Sequence, residues 1–99
     1  MKEVWKYTFD DGVKLELNLP IGATIRHVDS QKAYGDRNDK VHLWIELDVD
    51  WEVECEGEGI RTFYLIATGE RIPPKAMYIG SAKCCNGNEV WHVYEIPID

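Results

Sequence analysis

Basic residues are scarce in this chain. Eleven lysines and arginines stand against 18 aspartates and glutamates, giving a formal charge of −7 over 99 residues. Affinity for phosphate backbones comes from lysine and arginine, so the balance argues against a nucleic-acid partner and favours solubility, with a basic protein surface as the natural complement. Long apolar runs are missing as well. No 18-residue apolar stretch is present, and the opening MKEVWKYTF has no apolar run like that of a signal peptide, so the expectation is a cytoplasmic protein without a membrane partner. Cysteine is sparse, and in such a setting the three residues are expected to be free thiols. No stretch sustains a 3.6-residue apolar period, which leaves at most a short helical turn near Pro73–Met77. There is no glycine-rich phosphate loop, no G-x-S-x-G elbow and no H-E-x-x-H, so no catalytic residue, metal or cofactor is assigned.

What the chain does have is alternation. From Val41 to Gly59 the odd positions Val41, Leu43, Ile45, Leu47, Val49, Trp51, Val53 and Cys55 are apolar, against even positions that, Trp44 apart, are polar or acidic. A period of two marks a strand with one face in the core and one in water. Fully extended, Val41–Cys55 would span roughly 50 Å, too long for a domain of this size, so a bend or turn is expected near Asp48–Glu52. Val4–Phe9, Val13–Leu19, Ala23–Asp29, Ile60–Thr68, Met77–Lys83 and Glu89–Ile96 read as the other strands. Asp10-Asp11-Gly12 suggests a first hairpin, Asn86-Gly87 a last one, and Ile60–Thr68 is expected to return against Val41–Val49. Ser30–Asp39, the most polar stretch, reads as a loop, and Pro73-Pro74 excludes a central strand there. The expectation is one all-β domain over 1–99 with about seven mostly antiparallel strands, sandwich or barrel-like.

Three constellations could carry function. Glu46, Asp48, Asp50, Glu52, Glu54, Glu56 and Glu58 would form an acidic stripe if the segment stayed extended. Such a stripe could meet a basic protein, imitate nucleic-acid charge, or collect a hard cation, although no glycine-punctuated Asp-x-Asp-x-Asp loop is present; its plain alternative is a solvated strand face that discourages edge aggregation. His42 beside Trp44, and Trp91 beside His92, suit an aromatic surface holding a planar ligand, with Arg26 and Arg71 able to fork onto an anion. The three histidines, His27, His42 and His92, lack zinc spacing, and half-buried hydrogen-bonded strand positions are the plainer reading for them. Cys84-Cys85 has only Lys83 adjacent and no helix predicted to activate a thiol, while Cys55 reads as a core residue.

The blocks VWKY, LPIGATIRHVDSQ, HLWIELD, IATGERIP, YIG and VWHVYE together resemble a family of small uncharacterised bacteriophage and prophage proteins. The chain departs from that pattern in Ala67-Thr68-Gly69 at the turn before Ile72-Pro73, in its long acidic connection Asp50–Gly59 and in its extended first hairpin. The resemblance implies a phage setting, hence the host cytoplasm, and carries no established activity. The leading expectation is a non-enzymatic accessory protein binding a host factor, counter-defence included, as a homo-oligomer, most simply a dimer. The alternative is a protein that binds or sequesters a small nucleotide-like anion, and a compact hydrolase ranks last.

Overall fold

The computed structural model describes residues 1–10, 12–31, 40–49, 58–84 and 87–97. Seven strands occupy them: β1 (Lys2–Thr8), β2 (Lys14–Pro20), β3 (Thr24–Gln31), β4 (Lys40–Asp48), β5 (Glu58–Ala67), β6 (Met77–Cys84) and β7 (Glu89–Ile96), with no helix among the described residues. They form two separate antiparallel sheets, β1-β4-β3 and β2-β5-β7-β6, so the architecture is a sandwich rather than a closed barrel.

The alternation of β4 is realised as expected. Val41, Leu43, Ile45 and Leu47 are buried and face Leu19, Phe63, Leu65, Ala82 and Val93 of the opposite sheet in a shared core. Apolar side chains from two layers leaving water together is the main stabilising term of such a fold. Asp50 and residues 51–57 lie outside the described residues, so the expected bend is placed only to the extent that β4 ends at Asp48 and β5 begins at Glu58. The loop expected over Ser30–Asp39 also falls mostly outside them, with β3 reaching Gln31.

Two expected pairings do not form. β1 pairs with β4, and β2 with β5, so the strands flanking Asp10–Gly12 belong to different sheets. The backbone shows the divergence: Phe9 N–H donates to Val41 O, whereas Val13 O accepts from Leu65 N–H. Each strand has a single apolar face, and crossing between layers lets both faces bury against one another; a hairpin would have laid them side by side. β5 likewise does not return against β4, since β1 and β3 occupy both edges of β4. The β6–β7 hairpin does form, closed by Gly87 N–H donating to Cys84 O with Gly87 at φ 83°, a backbone conformation that favours glycine. Near Pro73 the chain makes a β-turn, Ala76 N–H to Pro73 O, and not a helical one.

β3 and β6 close one side of the sandwich. Ser30 Oγ donates to the Lys83 carbonyl across the gap, and Gly80 lies against Val28 so closely that an added Cβ would sit 3.0 Å from Val28 Cγ2 and 3.1 Å from Val28 Cβ. Gly80→Ala should therefore destabilise the domain by about 1–3 kcal/mol through overpacking, measured by urea unfolding. Val28→Ala in the same chain should recover part of the loss, because it vacates the space.

Candidate functional site

The residues expected to bind a ligand divide among four places. Arg26, His42 and Trp44 come together on the outer face of the three-stranded sheet, because even positions of β4 point away from the core. His27, opposite Trp44 in the register, joins them: its ring lies 5.2 Å from that of Trp44, with His42 at 5.8 Å on the same indole. A bulge between Ile25 and His27 puts both Arg26 and His27 within reach of this face. Trp91 instead turns inward, packing against the core while its Nε1–H donates to Glu89 Oε2. His92 lies on the outer face of the other sheet, and Arg71 is exposed in the β5–β6 connection.

The charges of the first face are already engaged. Arg26 donates to both oxygens of Glu46, 3.2 and 3.3 Å away, and these bonds, followed by the nearby charge of Lys2, hold the Glu46 carboxyl below its usual pKa. Asp48 takes the N-terminal ammonium at 3.2 Å. Of the acidic stripe, then, Glu46 and Asp48 serve intramolecular ion pairs; Asp50, Glu52, Glu54 and Glu56 fall outside the described residues, and Glu58 opens β5.

His42 is buried between Thr8 and Gln31. Its Nε2 faces the Gln31 carbonyl at 3.4 Å, which accepts only, so the neutral ring carries its proton there and Nδ1 accepts from the Thr8 hydroxyl at 2.8 Å. Burial lowers the His42 pKa below the ordinary histidine value; Lys6 and Lys40 press in the same direction, while the Gln31 carbonyl and Asp10 oppose it. The unfolded chain takes up a proton near about pH 6.5 where the folded chain resists it. Stability is thus intact above that value and lost as pH falls through it. His42→Gln should flatten this part of the pH dependence, read from urea unfolding between about pH 7 and about pH 5.

On the four-stranded sheet, sequence reasoning found His92 but missed its partners. Tyr78 OH lies 2.7 Å from Ser81 Oγ, Ser81 Oγ 2.8 Å from His92 Nδ1, and Thr68 Oγ1 3.2 Å from His92 Nε2. Tyr78 and Ser81 have opposite parity and share a face only because β6 bulges between Tyr78 and Gly80, which no residue pattern announces. A serine beside a histidine invites a nucleophile reading, but the far nitrogen meets a hydroxyl where an orienting carboxylate would be needed. This chain of groups fixes the ring. A recess of about 220 Å³ adjoins it, walled by Ile66, Ile72 and Tyr94.

One concavity was not anticipated. A groove of about 450 Å³ opens at the β2–β3 corner, lined by Leu19, Pro20, Ile21, Ile60, Met77, Ile96 and Pro97 among others. Ile21 is 81% exposed, Ile60 51% and Met77 49%. Beside them Arg61 Nε and an outer guanidinium nitrogen donate to both oxygens of Glu95, 2.6 and 2.7 Å away, and the remaining one donates to Ala23 O at 2.6 Å. Bonding to Glu95 raises the Arg61 pKa above its usual value. The only sequence signal for this groove is Ile21, an isoleucine in the Pro20-Ile21-Gly22 corner, where the Ala23 N–H to Pro20 O turn turns it outward. Cys84 is buried, its Sγ 3.6 Å from Glu89 Oε2, and Cys55 and Cys85 lie outside the described residues.

No curated protein and no solved structure matches the chain. A family model does, over residues 1–98, and it is described as a domain of unknown function. The chain therefore belongs to that family, DUF7352.

Proposed function

We propose that the protein is a non-enzymatic binding module that docks an apolar segment of a partner protein in the groove at the β2–β3 corner. The observation that supports this reading most is the convergence of exposed Ile21, Ile60 and Met77 on one concave surface. Isolated exposed apolar residues are ordinary, but several clustered on a groove mark an interaction surface. The acidic run Asp50–Glu58 leads in sequence directly into the groove residues Gly59 and Ile60, so a partner with basic residues beside its apolar anchor fits best. The phage resemblance makes a host protein of the infected cell the partner class, counter-defence being one such role.

The test is recovery of a discrete host protein on the immobilised domain. Ile21→Asp combined with Ile60→Asp should reduce it about tenfold or more, as expected for loss of central apolar anchors, with the melting temperature retained. Charge reversal at Glu52, Glu54 and Glu56 should weaken it further at low salt. Equal recovery by the isoleucine variant and the parent would overturn the groove.

A second reading, binding of a small planar anion, draws on the Trp44 ring flanked by His27 and His42 with Arg26 beside it. Glu46 already occupies Arg26, so a ligand would have to displace that carboxylate. A nucleotide panel should then raise the melting temperature by ligand linkage, and Trp44→Ala should abolish the rise. Flat melting curves count against it.

A further inference from the structure

We infer that two copies of this chain associate through the free edge of β1, extending the three-stranded sheet into a six-stranded one across a two-fold axis. This is independent of the groove, which opens on the other sheet.

The four sheet edges are not equivalent. β3 and β6 abut and close one side, so β1 and β2 carry the edges with no paired strand among the described residues. β2 ends in Pro20, which has no N–H to donate. β1 has no proline over its seven residues.

Which backbone groups of β1 are available follows from the ladder to β4. Phe9 N–H donates to Val41 O and Val49 N–H to Met1 O, so odd residues spend their backbone groups on β4. Lys2, Val4, Lys6 and Thr8 therefore aim N–H and C=O outward. Edge strands are usually guarded by lysines. Here the lysines lean inward instead: Lys2 Nζ lies 3.8 Å from Glu46 Oε2, and Lys6 Nζ reaches across β4 to Gln31 Oε1 at 3.3 Å.

Charge then selects the register. Continuing both faces of the sheet through a two-fold axis requires even residues to meet even ones. With Val4 on the axis, Lys2 would stand opposite the partner's Lys6; with Lys6 on the axis, it would face the partner's Lys6. Centring on Trp5 avoids both. Val4 then pairs with the partner's Lys6 and Lys2 with the partner's Thr8, giving about eight backbone hydrogen bonds. Trp5, 46% exposed on the core-facing side of β1 and held by its Nε1–H to Glu3 Oε1, meets the partner's Trp5 at the axis. Aromatic pairs at such a position are favourable.

Val4→Pro is the direct test, because the lost N–H is one that β4 does not use. Sedimentation equilibrium of the full chain should show a dimer for the parent and only monomer for Val4→Pro at the same concentration, with unchanged far-ultraviolet circular dichroism. Val4→Lys places like charges opposite each other twice and should weaken the dimer about tenfold, whereas Val4→Glu, facing the partner's Lys6 twice, should tighten it. If Val4→Pro fails to fold, the opposite shifts of the Lys and Glu variants decide. A parent that stays monomeric up to its solubility limit, a dimer that survives Val4→Pro, or a dimer weakened by Val4→Glu would each overturn the assignment.

Discussion

Arg61→Met should lower the unfolding free energy by about 3 kcal/mol, the scale expected when one partner of a buried ion pair is removed. Glu95 is only 8% exposed and both its oxygens accept from the Arg61 guanidinium. Without that fork, a carboxylate is left in a site water scarcely reaches, and the Ala23 carbonyl loses its donor as well. The cost thus comes mainly from what remains behind. Arg61→Met combined with Glu95→Leu should recover most of it, since an apolar pair of similar volume often replaces a buried ion pair without penalty. Urea unfolding of the two variants against the parent gives the comparison. A single variant as stable as the parent would mean that the pair is solvated in solution. The same pair sits beside the proposed docking groove, so the double variant also asks whether partner recovery needs this polar contact or only the apolar wall.

Phe63→Ala should cost about 3–5 kcal/mol. Phe63 is fully buried in the core shared by both sheets, with the Arg61 guanidinium carbon 5.6 Å from its ring centre. Truncation removes the transfer energy of the ring and leaves a cavity between two sheets that cannot both relax into it. Against the 5–15 kcal/mol typical of small domains, roughly, this loss is large enough to leave the fold marginal. Phe63→Leu keeps much of the volume and should cost less than about 1.5 kcal/mol. Denaturant midpoints should order parent, Leu and Ala in that sequence. Equal midpoints for parent and Phe63→Ala would contradict a core centred on this ring.

The strands themselves were legible because alternation is a local property. Leu43, Ile45 and Leu47 are apolar at every second position, and each is buried. The β6–β7 hairpin was legible for a similar reason, since its Asn86-Gly87 signal is contained in the turn. The site was much less so. His42, Trp44 and Arg26 do gather on one face, but Trp91 points inward and His92 lies on the other sheet. Parity within a strand assigns a face only until a bulge intervenes: Arg26 and His27 both reach the outer side, and Tyr78 and Ser81 share one. The groove gave still less warning. Ile21 comes from a corner, Ile60 from β5, Met77 from β6 and Ile96 from β7, and nothing in the spacing of these residues relates them.

The amino-acid sequence by itself determined the all-β class, the number and approximate bounds of the strands, and which residues of β4 enter the core. These follow from the two-residue period and from turn chemistry, both of which act over a few neighbouring residues. Only the tertiary structure decided that β1 and β2 part into different sheets, that β4 and β5 never pair, and that Glu46 and Asp48 close ion pairs with Arg26 and the N-terminus. Strand partners are chosen by how apolar faces from distant segments cover one another. That choice depends on the whole set of strands at once, and a local pattern carries no record of it.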